Sequence, residues 1–325
     1  MTTTHAVGFR QYGDTSVLES LERPLPALAS DSVKIRVIAA GVNPADWRIR
    51  AGQFRLFIRN LPFVPGNDAA GIVEEVGTQV TSFRPGDAVY AMLPIALGGG
   101  YARHAVVPQS AVAHKPAPLS FAQAAAIPLT ALTAFQGLRD YAGLQTGMRT
   151  LIYGASGGVG MFAVQIARQM GANVTAVTSG KNVEWVRQLG AEMVRDYTRE
   201  DVTTGDEVYD VIFDTIGAHG INRWRRALRR GGILVSIDPI GANPLAQLQA
   251  ATAGRRITAF IVRPSSTDLR LLNAWFTAGS IRPMIDRCYP LTPAGAAEAQ
   301  TYSASGRVRG KLVLIADETH ASNTN

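Results

Sequence analysis

The chain of 325 residues has a single cysteine, Cys288, so no internal disulfide can form. That usage fits a reducing, cytoplasmic compartment. Long apolar runs are also missing. The most hydrophobic stretch, from Ala122 to Phe135, is interrupted by Pro128 and by Thr130 and Thr133. It is shorter than the ~20 residues that a membrane-spanning helix needs. The opening MTTTH has no basic segment leading into an apolar core, so it does not read as a signal peptide. Five histidines, at 5, 104, 114, 219 and 320, are scattered without ligand spacing. With so few thiols and imidazoles, a zinc site is not expected. Lysine is scarce as well: the net charge of +7 is carried almost entirely by arginine. The densest cluster, NRWRRALRRGG, contains Arg223, Arg225, Arg226, Arg229 and Arg230. It reads as a solvated helix, stopped by Gly231, rather than as a nucleic-acid surface.

What is present is an ordinary globular composition, 46% hydrophobic and 18% charged, long enough for two domains. The first ~120 residues have a β texture. VKIRVIAA alternates Val33, Ile35 and Val37 against Lys34 and Arg36, as a half-buried strand does. GIVEEVG, DAVYAML and YARHAVV are further short runs, so a small barrel or sandwich is expected. After Pro118 the pattern changes. SFAQAAAIPLTALTAFQGL reads as helical with Ser120 as N-cap. Strands and helices then alternate from TLIY to GILVSID, which predicts a doubly wound parallel sheet. The apolar segment ITAFIV (257–262) offers an edge for pairing with a second copy, hence a possible homodimer.

YGASGGVG (153–160) lies between the strand TLIY and a helix, with Gly154, Gly157 and Gly160 spaced G-x-x-G-x-x-G. A tight turn, close backbone approach to a pyrophosphate and close packing of the helix start all demand glycine there. At the end of the next strand, dinucleotide sites that take NAD place an acid for the ribose 2′-hydroxyl. Here the chain reads Thr178, Ser179, Gly180, Lys181, and the nearest acid in sequence, Glu184, falls in the following helical turn. Hydroxyls and a cation suit a 2′-phosphate, so NADPH is the expected cofactor. Tyr197 follows the third strand and is placed to cover the adenine or the phosphate. The other reading is that Ser179, Gly180 and Asn182 simply cap and turn.

With these segments in hand, the chain resembles the medium-chain dehydrogenase/reductase superfamily. Within it, the chain looks most like the zinc-independent quinone oxidoreductase and enone reductase branch. The resemblance runs from Val33 to Ile315 through GVNPADWRIRAGQF, PGNDAAGIVEEVG, RPGDAVY, ALTAFQGL, GASGGVG, YDVIFDTIG, LRRGGILVSI and SGRVRGKLVL. It implies an α/β chain: a mainly β, GroES-like catalytic domain (1–122), a Rossmann NADP-binding domain (123–262) and a return segment (263–317) completing the first. The tail 318–325 is expected to be disordered. Carried onto this sequence, the resemblance puts Ser156, Gly157, Gly158 and Val159 at the pyrophosphate. Thr178, Ser179, Lys181 and Tyr197 fall at the adenosine phosphate, and Asn43 and Thr133 on the nicotinamide side. Thr215, Ile216, Gly217, Gly310 and Lys311 would close over the cofactor. The positions that hold zinc in the alcohol dehydrogenases of the superfamily read Asn43 and Gly66-Asn67-Asp68, which again implies no metal.

Without a metal to stabilise an alkoxide, the easier chemistry is hydride addition to an electron-poor carbon: a quinone, or the β-carbon of an α,β-unsaturated carbonyl. Asn43 has two readings, a donor to the developing oxyanion or cofactor, and a local cap before Pro44. Tyr101 either lines the pocket or is a core aromatic. Trp47, Phe54, Phe57 and Phe63 are an apolar substrate pocket or domain core. Water is the alternative proton source. A non-catalytic NADPH-binding protein of the same fold is the competing function. A short-chain reductase is disfavoured, because no tyrosine has a lysine four residues on.

Overall fold

The computed structural model describes residues 3–58, 60–204, 209–217, 221–238 and 243–316. The expected tail, 318–325, lies outside them. Two compact units emerge: 1–129 with 264–279 and 283–325, and 130–263 with 280–282. In the first unit β1 (Thr3–Gly8) and β2 (Glu19–Pro24) form an antiparallel pair. A second sheet is built on β3 (Ser32–Val42), β4 (Asp68–Val76), β5 (Ala88–Met92), β6 (His104–Pro108) and β7 (Val112–His114). The alternation read in β3 is real. Val33, Ile35 and Val37 are buried, whereas Lys34 reaches across to Glu75 (2.7 Å) and Arg36 to Glu74 (3.8 Å) on β4.

The second unit holds a six-stranded, all-parallel sheet. Its strands are β8 (Arg149–Tyr153), β9 (Asn173–Thr178), β10 (Met193–Asp196), β11 (Tyr209–Asp214), β12 (Leu228–Ser236) and β13 (Arg256–Ala259). The order β10-β9-β8-β11-β12-β13 reverses direction between β8 and β11. Such a switch point leaves a crevice at the carboxyl ends of the strands, where open α/β sheets bind ligands. Leu151, Ile212 and Leu234 form the buried centre of the sheet.

The chain then returns to the first unit with β14 (Ile285–Pro290) and β15 (Lys311–Ile315), completing the path β14-β15-β3-β4-β5-β7. β3 is long enough to divide one edge between two neighbours. Ser32–Arg36 pair with β6, and Ala39–Val42 pair with β15. Its other edge pairs with β4 from Val33 to Gly41. The C-terminal end of β3 therefore lies between the start of β4 and the start of β15.

Three expectations need correction. The Ala-rich segment is not one helix. It splits into Phe121–Ala125, with a Ser120/Gln123 capping box, and Pro128–Gln136, because the residue before a proline avoids the helical region. A π-helical turn, Gly137–Tyr141, follows. The arginine cluster is not a helix either: only Ile221–Trp224 is helical, and Arg229 and Arg230 already belong to β12. Trp224, Ala227 and Leu228 are buried, and Leu228 pairs with Tyr209, so sheet pairing overrides helix propensity. Finally, ITAFIV is strand only as far as Ala259, and Ile261 is exposed.

Candidate active site

The glycine turn joins β8 to the helix Gly158–Gln169. Gly154 adopts φ +81°, open to glycine at little cost. A Cβ on Gly160 would stand 2.1 Å from the Gly154 carbonyl oxygen, so the helix packs on the turn as tightly as glycine permits. Gly157 is different: its Cβ would meet only the Gly154 oxygen, at 3.5 Å, and otherwise face open ground. No side chain caps this helix, and Ser156 to Val159 are half-exposed. Backbone N–H groups at such an uncapped N-terminus fit a pyrophosphate. Thr215 and Ile216 pack against Gly154, and the Thr215 hydroxyl donates to the Tyr153 carbonyl at 2.7 Å. The Ile216 and Gly217 amides both donate to Asp214 Oδ1 at 2.9 Å, which fixes this loop beside the turn.

The loop after β9 lies alongside. The Asn182 amide donates to Ser156 Oγ (3.2 Å) and Ser179 Oγ (3.3 Å), linking the glycine turn to the segment expected at the adenosine end. Ser179 is half-exposed, and Lys181 and Tyr197 are exposed. Thr178 is instead buried beneath them, its hydroxyl without a hydrogen-bond partner, so it supports the loop rather than presenting a surface ligand. A pocket of about 380 Å³ opens beside Tyr197, lined also by Tyr153, Thr198, Arg199 and Arg223. The spatially adjacent acid is Asp196 rather than Glu184. A Cβ on Gly180 would come within 2.5 Å of its Oδ2. Thr133 is buried in the helix Pro128–Gln136.

In the first unit, the ends of β3, β4 and β15 bring three distant residues together. Lys311 Nζ donates to the Val42 carbonyl (2.9 Å), to Asn43 Oδ1 (2.5 Å) and to Asp68 Oδ2 (3.2 Å). Asn43 Nδ2 donates to the same Asp68 oxygen at 2.8 Å, and Asp68 Oδ1 accepts from the Leu129 amide at 2.6 Å. Asn43, Asp68 and Lys311 are all buried. Gly41 is glycine because a Cβ there would stand 2.3 Å from the Ala125 carbonyl oxygen. The Asn43 and Lys311 side chains, expected at the nicotinamide and over the cofactor, are thus engaged inside the domain, and Gly310, expected beside Lys311 at the cofactor, is buried with φ +77°.

Of the two readings of Tyr101, the geometry favours the core one. It is fully buried and its hydroxyl donates to Asp46 Oδ2 at 3.0 Å, so it is a core residue, not a proton donor at a surface. Burial, reinforced by the neighbouring Asp46 charge, drives its hydroxyl pKa well up. Burial likewise pushes the Asp46 carboxyl to about 6, although the Asn43 and Gly66 amides and the Tyr101 hydroxyl all favour its charged form. Phe63 packs against Phe9 in the core rather than lining a pocket. Trp47 is half-buried on the helix Pro44–Arg50, and its indole N–H is buried without a partner. Phe54 is 37% exposed and Phe57 83% exposed.

Residues 29–117 match the family described as "Alcohol dehydrogenase GroES-like domain", and residues 189–314 that described as "Zinc-binding dehydrogenase". A tomato (Solanum lycopersicum) protein named 2-methylene-furan-3-one reductase is 34% identical, over 95% of this chain and 78% of its own length. An Arabidopsis thaliana protein named NADPH-dependent alkenal/one oxidoreductase, chloroplastic, is 33% identical over 94% of this chain and 78% of its own. The solved quinone oxidoreductase from Coxiella burnetii superposes with a TM-score of 0.89 at 30% identity, covering 97% of this chain and 99% of that one. The chain belongs to the medium-chain dehydrogenase/reductase superfamily. Superfamily members use a nicotinamide dinucleotide, and the uncapped helix, the open face of Gly157 and the fixed 215–217 loop fit that group. Zinc does not fit. The ligand positions of the alcohol dehydrogenase branch carry the amides of Asn43 and Asn67 and an acid already ion-paired to Lys311. Among the described residues, no three His, Cys, Asp or Glu side chains cluster as metal ligands. Nor is any helix among them long and apolar enough to cross a membrane.

Sequence reasoning missed Asp68, Lys311, Asp196 and Asn182 as organising residues. One signal was available. Lys311 opens the otherwise apolar KLVLI, and Asp68 opens DAAGIV, and a lone charge on a buried strand requires a partner.

Proposed function

We propose that this chain is an NADPH-dependent, zinc-independent reductase of quinones or α,β-unsaturated carbonyls. The observation that carries the reading is the pairing of an intact pyrophosphate turn with metal positions closed by an internal ammonium. Relatives named for enone and quinone reduction support the same substrate classes. When bound, the nicotinamide supplies the hydride. The amides of Gly157 to Val159 hold the pyrophosphate, and Ser179 and Lys181 hold the 2′-phosphate. Trp47 and Phe54 offer apolar surface to the acceptor, and the unpaired Trp47 indole N–H is a donor on the helix that follows Asn43. Because Asn43 and Tyr101 are enclosed, water protonates the resulting enolate. A reducing, cytoplasmic compartment is the proposed location, in keeping with the single cysteine, and a second copy pairing along β13 is the proposed oligomer.

The test is NADPH oxidation with 1,2-naphthoquinone and with an alkenal, with NADH in parallel, before and after dialysis against a chelator. Turnover of at least one acceptor class is expected, unchanged by chelation, with kcat/KM at least about tenfold lower for NADH. NADPH binding without turnover of either class would favour the binding-only reading. Activity lost on chelation and regained with zinc would overturn the metal-free one.

A further inference from the structure

Asp196 ends β10 directly opposite Thr178 at the end of β9. An acid beside the adenosine loop is the feature that ordinarily accepts a ribose 2′-hydroxyl, and it would repel a 2′-phosphate. In this chain its oxygens are already engaged. Oδ1 accepts from the Thr198 amide at 3.0 Å and from the Thr198 hydroxyl at 2.7 Å. Oδ2 faces the Arg199 guanidinium, 3.4 Å from Nε. The Gly180 backbone lies against the same carboxylate: a Cβ there would come within 2.5 Å of Oδ2. The side chain is 12% exposed, whereas that of Arg199 is 85% exposed. Between these contacts the Tyr197 amide donates to the Thr178 carbonyl at 3.1 Å. One carboxylate thus fastens the residue before Lys181 to the two residues after Tyr197.

We propose that Asp196 is a positioning residue for cofactor choice: it clasps the 179–181 loop to Thr198 and Arg199, so that Lys181 and Arg199 together face the adenosine 2′-phosphate. The inference rests on the NADPH reading above and deepens it. The ion pair with Arg199 offsets the carboxylate's own charge, and the hydrogen bonds keep it turned away from the ribose. Asp196 touches no part of the ligand; it sets where two cations stand.

The test is calorimetric binding of adenosine 2′,5′-bisphosphate and of AMP to the whole chain, as wild type, Asp196→Ala, Asp196→Asn and Thr198→Val. Wild type is expected to prefer the bisphosphate; equal affinities would sink the NADPH reading itself. Given that preference, Asp196→Ala should weaken the bisphosphate about tenfold, one charge-assisted contact, and leave AMP within about twofold. Asp196→Asn, which keeps an acceptor oxygen and removes the negative charge, should bind the bisphosphate within about threefold of wild type or more tightly. Bisphosphate binding by Asp196→Ala at or above the wild-type level would mean that the acid only repels, and would overturn the clasp. A parallel loss of AMP binding would mean that Asp196 serves the ribose hydroxyls, and would overturn it equally. Should Asp196→Ala fail to fold, Thr198→Val removes the 2.7 Å contact alone. It must then weaken the bisphosphate selectively for the proposal to stand.

Discussion

Replacing Lys311 by methionine tests the ion pair at the end of β3, β4 and β15. Methionine approximates the length of the lysine stem but donates nothing. The substitution withdraws the ammonium from three acceptors, the Val42 carbonyl, Asn43 Oδ1 and Asp68 Oδ2. The side chains of Lys311 and Asp68 are 3% and 0% exposed, so water does not replace the lost donors. Asp68 keeps the Asn43 amide and the Leu129 amide as partners, yet its charge is left uncompensated. Breaking a buried pair from one side costs about 3–5 kcal/mol. For a domain of this size that corresponds to a melting temperature lower by roughly 6–20 °C. Asp68→Asn alone should also destabilise, because it strands the ammonium. The double variant, with both charges removed, should recover at least about 2 kcal/mol relative to the sum of the single changes. Thermal melts of the four proteins decide the matter. If Lys311→Met melts within ~2 °C of wild type, or the two losses simply add, the cluster does not fasten the domain and the argument fails.

The two glycines of the turn should respond differently. Gly160→Ala forces a Cβ to 2.1 Å from a backbone oxygen and should cost at least about 2 kcal/mol in a thermal or denaturant melt. Gly157→Ala has room in the free protein, so its stability should hold while NADPH affinity falls about tenfold in a titration; unchanged affinity would remove Gly157 from the site. The Asp46 carboxyl should titrate near pH 6 by carbon-13 NMR. Its folded-state pKa is raised, so the stabilisation from its bound proton is complete below about pH 4 and is lost as pH rises through 6. The amount is on the order of 3 kcal/mol, and a midpoint near 4 would contradict it. Tyr101→Phe removes a hydrogen bond that favours the charged Asp46, so that midpoint should move higher while kcat stays within about threefold. A hundredfold fall in kcat would instead assign Tyr101 a part in turnover.

Much of the architecture was legible because it depends on local pattern. The alternation through Val33, Ile35 and Val37, and the strand–glycine–helix order around Gly154, are consequences of side-chain period and backbone conformation within a few residues. The site was less legible because its key contacts join residues far apart in the chain. Lys311 meets Asn43 across 268 positions, and no local window contains both. Asp196 reaches Gly180 only because β10 lies beside β9 in one particular register. At Tyr101 residue type alone left pocket and core both open, because a polar aromatic near a glycine run suits either, and burial distinguishes them. The arginine cluster failed for a related reason: Arg, Leu and Ala favour a helix, but Leu228 had a strand partner in Tyr209.

The internal ammonium also bears on which reaction this scaffold suits. A metal at the cleft of an alcohol dehydrogenase has two effects: it fastens its protein ligands, and its open position polarises a substrate oxygen. Lys311 reproduces only the first. Its three donors are matched to three acceptors, all of them protein oxygens, and its side chain is 3% exposed, so no donor is left for an alkoxide or a carbonyl. Asn67 is no substitute, because its amide nitrogen faces the Leu93 and Pro94 carbonyls. A donor set closed in this way favours acceptors whose electrophilic carbon is already activated by conjugation, in which the incoming electron pair is delocalised away from the point of attack. On this argument the Lys311→Met protein, even if folded, gains no alcohol dehydrogenase activity on addition of zinc, because Asn43 and Asn67 supply neither thiolate nor imidazole. Zinc-dependent oxidation of a simple alcohol by that variant would show that the ammonium had displaced a metal from a competent site.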